Sequence, residues 1–402
     1  MIVEPKVKGF ICTTAHPKGC AESVRRQIEY VKEKRASREI GGDIKAPKKV
    51  LVIGSSTGYG LASRIAVAYG YGADTIGVAF EKESKPPKRT ASAGWYNTVA
   101  FDAQAKADGL YAKSFNGDGF SDEMKQTVID TIKSDFGQVD MVIYSLAAPR
   151  RTVKTGETAE DGTPVTKAVS SVLKTVGKEF TNRTLDLRTN EITDVTVPVA
   201  NDDEIADTVK VMGGEDWEEW IRVLDEAGVL ADGAVTLAYS YIGPTMTHPI
   251  YKEGSIGQAK KHLKKTADTL SENYSDKGLR AYISVNKALV TQSSAAIPIV
   301  PLYITLLYKV MKAQNLHEGC IEQMERLYLD KLPKDETDDE GYIRLDDWEM
   351  KPEVQSEVAK AWETVATDNI KELGDIDGYW DDFYQMFGFG YDNVDYGEDV
   401  EI

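Results

Sequence analysis

Short, continuously apolar runs recur along the chain, each bounded by turn residues and followed by a segment of helical period. They are Val50 to Ile53, Thr75 to Phe80, Met141 to Leu146, Val235 to Ile242 and Tyr282 to Val290. A strand with one wet face alternates apolar and polar positions, whereas these do not alternate, so both faces are expected to be buried. The order reads as β/α repeats and predicts an α/β fold with a parallel, Rossmann-like sheet covered by helices on both faces. A weaker strand-like segment, Tyr111 to Phe115, belongs to the same series. A polar stretch from Arg150 to Asp207, rich in Thr, Val, Lys and Asp and without helical period, interrupts the repeats. An insertion of that length is expected to carry function or small hairpins of its own. From Gly213 to Ala231, Trp217, Trp220, Val223 and Leu224 recur at helical spacing, with Glu215 and Asp216 near the start, where carboxylates suit a helix dipole.

The first repeat carries the clearest chemistry. Its strand runs into Gly54, Ser55, Ser56, Thr57, Gly58, Tyr59 and Gly60, and a helical pattern follows. Glycines permit the sharp turn and let a pyrophosphate approach backbone amides at a helix N-terminus. The spacing G-x-x-x-G-x-G matches the variant of short-chain dehydrogenases; strand before and helix after favour a cofactor loop over a turn-only glycine cluster. The second run ends in Phe80 and Glu81. A carboxylate there can accept from the adenosine ribose hydroxyls and repel the extra phosphate of NADP, which favours NADH, although Lys82, Lys85, Lys88 and Arg89 follow and could neutralise such a phosphate. Asp118 and Gly119, in an N-G-D-G sequence, admit two readings, an adenine contact or simple turn chemistry. Tyr239, Tyr241 and Tyr251 cluster after the fourth run, and Lys260 lies on a predicted helix. A reductase needs an acid near the nicotinamide and a cation that holds the ribose, and a Tyr with a Lys can serve. The offset alone is weak, because 20 Tyr and 48 Lys or Arg would give about two such pairs by chance.

Composition narrows the class. The chain has 402 residues and a net charge of −17, with 12 basic and 6 acidic residues in positions 1–50 but 6 basic and 22 acidic in 331–402. That field opposes phosphate backbones, so nucleic acid is not an expected partner. The acidic C-terminal extension holds Trp348, Trp362, Trp380, Phe383, Tyr384, Phe387 and Phe389, too many aromatics for a disordered tail, and is expected to pack on the body. The apolar run Ala295 to Tyr308 is too short to span a bilayer and is broken by Pro298 and Pro301, so no membrane association is expected. MIVEPKVKGF at the N-terminus has no secretory pattern, and three cysteines make no disulfide framework, so a reducing cytoplasm is expected. Cys12, His16 and Cys20, with His317 and Cys320 later, could be read as soft metal ligands, but C-x3-H-x3-C is not a usual zinc spacing, and no metal is expected.

The segments AHPKGC (Ala15 to Cys20), VLVIGSSTGYG (Val50 to Gly60), AGWYN (Ala93 to Asn97), YSLAAPRR (Tyr144 to Arg151), VMGGEDW (Val211 to Trp217), AYSYIGP (Ala238 to Pro244), YKEGSIGQAKKHL (Tyr251 to Leu263) and HEGCIEQ (His317 to Gln323) together resemble the trans-2-enoyl-CoA reductase family, which includes the FabV-type enoyl-acyl-carrier-protein reductases. The resemblance spans nearly the whole chain. It implies a single enlarged Rossmann-type domain over 1–402, with the first half of the dinucleotide-binding core at 49–149, an insertion near the substrate cleft at 150–230, the second half of the core at 231–330 and the extension at 331–402. It also implies NADH as cofactor, and an acyl thioester substrate on coenzyme A or acyl carrier protein, reduced at its carbon–carbon double bond by a monomer. The family's Y-x8-K motif falls on Tyr251 and Lys260, which makes them the catalytic pair, and its substrate-contacting tyrosine falls on Tyr241. Its cofactor loop falls on Gly54 to Tyr59, its discriminating position on Phe80 and Glu81, and its adenine contact on Asp118 and Gly119. The contact after the strand that follows falls on Leu146 and Ala147, and the nicotinamide end on Leu289, Val290 and Thr291. The apolar run Ala295 to Tyr308 then either lines an acyl channel or is plain core. Two other readings compete: a short-chain-type carbonyl (3-ketoacyl) reductase, and a non-catalytic NAD-binding module.

Overall fold

A computed structural model describes residues 1–402 except Phe10, Glu39, Ile40, Asp43, Glu160, Ser293, Ala295 and Ala296. A two-stranded ribbon, β1 (Val7–Lys8) and β2 (Ile11–Cys12), and the long helix α1 (Pro17–Ala36) precede the first core strand, β3 (Lys49–Ile53). The repeats follow as α2 (Gly58–Tyr71), β4 (Asp74–Ala79), α3 (Ala93–Ala107), β5 (Ala112–Asn116), α4 (Asp122–Thr131) and β6 (Val139–Tyr144). The polar stretch forms two antiparallel hairpins, β7 (Arg150–Thr158) with β8 (Pro164–Ser170) and β9 (Phe180–Asp186) with β10 (Glu191–Val197). Its last residues are helical instead. They open α5 (Asp202–Met212), where the Asn201 side chain accepts from the Glu204 amide and Glu204 returns the bond to the Asn201 amide. A reciprocal cap of this kind starts a helix where periodicity is faint.

The chain returns to the core through α6 (Glu215–Glu226), β11 (Leu230–Ser240), α7 (Ser255–Asn273), β12 (Arg280–Val285), α8 (Val300–Ala313) and α9 (Cys320–Arg326). The C-terminal extension adds β13 (Tyr342–Arg344), α10 (Pro352–Thr364), α11 (Ile370–Leu373) and α12 (Ile376–Gln385). Seven strands form one sheet in the order β13-β12-β11-β6-β3-β4-β5, every neighbouring pair parallel. Val50 through Ile53 have no exposed surface, as their unbroken apolar character requires. Successive strands run outward from β3 to one edge and then, from β6, to the other. The carboxyl ends of β3 and β6 therefore flank the point where winding reverses, the place where doubly wound sheets open a crevice.

Each sheet face has its own apolar cluster. One packs α1, α2 and the chain following α9; the other packs α4, α6 and α7. Trp217 and Trp220 are fully buried in the second without orphaned donors, since their indole N–H groups reach Thr236 Oγ1 at 2.8 Å and the Gly119 carbonyl at 3.1 Å. A third cluster gathers α8, α10 and α12 around the segment after β12. The predicted strand Tyr282 to Val290 ends early, at Val285, and the remainder is a loop whose role emerges below.

Part of the charge asymmetry of the sequence is met by pairing between the two ends of the chain. The N-terminal ammonium meets Asp399, Lys18 meets Glu398 at 2.5 Å and Arg26 meets Asp392. Together with buried Tyr379, Phe383, Phe387 and Phe389, these contacts fold the acidic extension onto the body. A buried cluster anchors it more firmly. Arg326 donates to Glu318 at 2.7 and 2.9 Å, to Asp347 at 2.8 Å and to the Leu345 carbonyl at 2.7 Å. Removing one partner of such a cluster strands the others, so Arg326→Ala should destabilise the fold by about 3–5 kcal/mol. An unfolding free energy from denaturant titration lowered by less than about 1 kcal/mol would refute it. Among the described residues, no helix is long and apolar enough to cross a membrane.

Candidate active site

A cavity of about 1540 Å³ opens at the carboxyl ends of the sheet strands. The turn after β3 shapes its floor. Gly54 has φ +87°, and a side-chain carbon there would strike the Ser145 carbonyl; one at Gly60 would strike the Gly54 carbonyl. The backbone can turn this tightly only with hydrogen at both positions. The amino end of α2 consequently faces the cavity with Ser56, Thr57, Gly58 and Tyr59 on its wall, a cradle that fits a dinucleotide pyrophosphate. Ser55 does not line the cavity; it is buried beneath, its hydroxyl donating to the Val78 carbonyl at 3.3 Å.

At the end of β4, Phe80 stands 77% exposed at the cavity mouth, where a flat base could stack. Glu81 is held by Ser56 Oγ at 2.6 Å and Ser92 Oγ at 2.5 Å. Its backbone is clamped by the Asn116 amide at 2.7 and 3.0 Å, so the carboxylate is fixed beside the pyrophosphate cradle. Asp118 Oδ1 accepts from the Phe120 amide at 2.9 Å, a turn bond, and Asp118 and Gly119 also line the cavity. Leu146 and Ala147, just past β6, line it as well.

The loop after β12 is stiffened from three sides. The Lys287, Ala288 and Val290 amides donate to Gln323 Oε1 at 2.8 Å, Glu349 Oε2 at 2.7 Å and Tyr308 Oη at 3.1 Å. The Lys287 and Leu289 carbonyls accept from Tyr59 Oη at 2.9 Å and Ser294 Oγ at 2.6 Å. The last ladder bond runs from the Asn286 amide to the Ser240 carbonyl at 2.9 Å; beyond it side chains take over, and Leu289, Val290 and Thr291 are presented to the cavity on this support.

Tyr241 follows β11, Tyr251 precedes α7 and Lys260 lies in its second turn, and all three side chains line the cavity. The Tyr241 and Tyr251 rings pack edge to face with centroids 4.7 Å apart. Burial, reinforced by the Glu349 charge, pushes the Tyr251 hydroxyl above the usual phenol range, which keeps it protonated. Burial also lowers the Lys260 ammonium to about 8. Lys260 Nζ donates to the Tyr239 carbonyl at 2.8 Å, an arrangement that places its charge close to the tyrosines without a direct bond to Tyr251. Of the apolar run Ala295 to Tyr308, Ala295 and Ala296 lie outside the described residues. Ile297, Val300, Tyr303 and Ile304 face the cavity, while Leu302, Leu306 and Leu307 are core.

Two groups escaped sequence reasoning. Lys287 is a buried lysine inside an apolar run, and that anomaly was the available signal. Glu349 had none, being one carboxylate among 22 in the extension. His16 caps α1, its Nδ1 accepting from the Gly19 amide at 3.2 Å, and its ring lies against Phe389 and Tyr396. Among the described residues no three of His, Cys, Asp and Glu converge on a metal position.

A glycine cradle at a helix start, an acid at the tip of the next strand and a Tyr/Lys pair across the switch point define a Rossmann-type nicotinamide oxidoreductase site. Family models refine this. One described as the catalytic region of trans-2-enoyl-CoA reductase matches residues 89–332, one described as the NAD(P)H binding domain of trans-2-enoyl-CoA reductase matches 2–86, and one described as an enoyl reductase FAD binding domain matches 337–400. The chain belongs to the trans-2-enoyl-CoA reductase family. It is 54% identical to the NADH enoyl-[acyl-carrier-protein] reductase of Cytophaga hutchinsonii, covering 100% of this chain and 98% of the relative. It is 52% identical to the NADH trans-2-enoyl-CoA reductase of Ruminiclostridium cellulolyticum, with the same coverage. The crystal structure of the Treponema denticola trans-2-enoyl-CoA reductase in complex with NAD superposes with a TM-score of 0.92 at 47% identity, covering 100% of this chain and 98% of that one. The residues of the cradle fit NADH. Residues 337–400 do not repeat that cradle: β13 leads into Asp346 and Asp347 and not into a glycine turn and helix.

Proposed function

We propose that the protein reduces the carbon–carbon double bond of trans-2-enoyl thioesters with NADH, with Tyr251 as the acid. The observation that carries this is the convergence of Tyr241, Tyr251 and Lys260 on one cavity with the pyrophosphate cradle and the rigid loop bearing Leu289, Val290 and Thr291. NADH supplies a hydride to C3 of the substrate. Electron density then moves onto the thioester oxygen as an enolate, and C2 takes a proton delivered from solvent by way of the Tyr251 hydroxyl, giving the saturated acyl thioester and NAD⁺. The Tyr251 hydroxyl, kept protonated by burial, donates to that oxygen and stabilises the charge as it develops. Lys260 holds the nicotinamide ribose and adds positive potential, and Tyr241 orients the thioester carbonyl. Gly54, Ser56, Thr57, Gly58 and Tyr59 hold the pyrophosphate, with Ser55 supporting the turn from below. Phe80, Asp118, Gly119, Leu146 and Ala147 hold the adenosine half.

The acyl carrier is coenzyme A or acyl carrier protein, since both present a phosphopantetheine thioester to the same cleft. The enzyme serves fatty acid metabolism as a monomer of one enlarged domain in the cytoplasm; its three free cysteines support the reducing compartment. The test follows NADH absorbance with purified protein and crotonyl-CoA, then crotonyl carried on acyl carrier protein, then acetoacetyl-CoA. Turnover of either crotonyl thioester and none of the ketone is expected. Turnover of the ketone alone would establish a carbonyl reductase, and no turnover at all a binding module.

Cofactor choice rests on Glu81. With the Glu81 carboxylate fixed by Ser56 and Ser92, a 2′-phosphate would meet a negative charge held in place. Glu81→Gln keeps the hydrogen-bonding shape and removes the charge, so the ratio of kcat/KM for NADH over NADPH should fall by about tenfold or more. An unchanged ratio would move the discrimination elsewhere.

A further inference from the structure

Glu349 has no exposed surface, although it belongs to the acidic extension and not to the sheet core. Its Oε1 accepts from Tyr303 Oη at 2.6 Å and from Tyr241 Oη at 3.1 Å, and its Oε2 accepts from the Ala288 amide at 2.7 Å. Three separate elements thus converge on one carboxyl group: the turn after β11, the loop after β12 and the helix α8. A buried carboxylate is costly unless its lone pairs are bonded, and three donors offset that cost here. Anchoring the extension does not account for it, because the Arg326 cluster already does so through Asp347, two residues earlier. Gln355 fixes Glu349 in turn, its Nε2 donating to the Glu349 carbonyl at 2.7 Å and to Tyr303 Oη at 3.1 Å.

We propose that Glu349 is a positioning residue for the reduction: one carboxyl group sets the Tyr241 hydroxyl and the Ala288 amide at a fixed separation, so that the thioester carbonyl and the nicotinamide face meet in register. The proposal rests on the reading that Tyr241 and the loop after β12 face substrate and cofactor. Because the Tyr241 ring packs against Tyr251, fixing the one restrains the other. The specific feature is that a single side chain from outside the Rossmann core bridges both halves of the reaction geometry, where a loss of register of about 1 Å can cost about a hundredfold in rate.

The test compares Glu349→Gln, Tyr241→Phe and the double variant with the wild-type enzyme. An amide nitrogen cannot accept, so E349Q must release at least one of its three donors. Its kcat with crotonyl-CoA is expected to fall about ten- to hundredfold, with the KM for NADH unchanged within about twofold and the thermal midpoint near that of the wild type. If Glu349 acts through Tyr241, the double variant is no slower than the slower single variant within about twofold. A wild-type kcat for E349Q, or a double-variant loss equal to the product of the single losses, would overturn the proposal. Should E349Q not fold, Glu349→Asp, which keeps the charge but shortens the reach, is judged by the same criteria. Failure of both variants to fold and bind NADH would make Glu349 purely structural and also overturn it. Tyr251→Phe is measured in parallel. If that variant is inactive while E349Q is fully active, only the role of Glu349 falls; if Tyr251→Phe is fully active, the reading of the site itself falls.

Discussion

Tyr251→Phe should lower kcat for a trans-2-enoyl thioester by about a thousandfold, close to 4 kcal/mol of transition-state stabilisation, while the KM for substrate and the affinity for NADH change by only a few fold. The change deletes one oxygen and leaves the ring, so the edge-to-face contact with Tyr241 survives and folding should be unaffected. Catalysis suffers because the lost hydroxyl is needed most when charge reaches the thioester oxygen, and least when the neutral substrate binds. The pocket strengthens the effect, since a donor in a low-dielectric site is worth more than one in water. Steady-state kinetics with crotonyl-CoA, together with NADH binding followed by fluorescence, separates the two quantities. Wild-type turnover in this variant would remove Tyr251 from the mechanism; a matching rise in KM would make it a binding residue instead.

The parallel sheet was legible because its strands are buried on both faces and so advertise themselves as unbroken apolar runs. The cofactor turn was legible for a related reason: Gly54 and Gly60 stand where any side chain would collide with backbone, so local sterics write themselves into sequence. The hairpins of the insertion could be expected only as a possibility, their strands being largely exposed and without a strong alternation. Tyr251 and Lys260 were visible as residue types but not as a pair. Their offset is weak, and only resemblance joined them, because Lys260 reaches the site through the Tyr239 carbonyl and the geometry of α7 and not through a contact encoded by spacing. Glu349 was beyond reach altogether. A long-range contact between the extension and the turn after β11, 108 positions apart in sequence, leaves no local periodicity, and a buried carboxylate looks like any of its exposed neighbours until the fold is known.

Lys260 carries the second large effect, and pH separates its role from simple packing. Lys260→Ala should reduce kcat/KM for NADH about a hundredfold, of which a factor of about ten or more lies in cofactor affinity, the worth of a hydrogen bond from a charged donor. In the intact enzyme, burial holds the Lys260 ammonium to about 8, so its charge is present below that value and is lost as pH rises through it. Activity should therefore decline along an alkaline limb near 8. The contribution of Lys260 to folding runs the other way. Between about 8 and the ordinary lysine value near 10.4, the unfolded chain binds more protons at this site than the folded one, so stability gains with pH in that window. A loss of activity there cannot then be ascribed to unfolding through this group. Lys287, also lowered to about 8 by burial, could produce the same limb, and Lys260→Arg distinguishes them. A guanidinium stays charged throughout, so the limb disappears in that variant if Lys260 is responsible, and persists unchanged if Lys287 is.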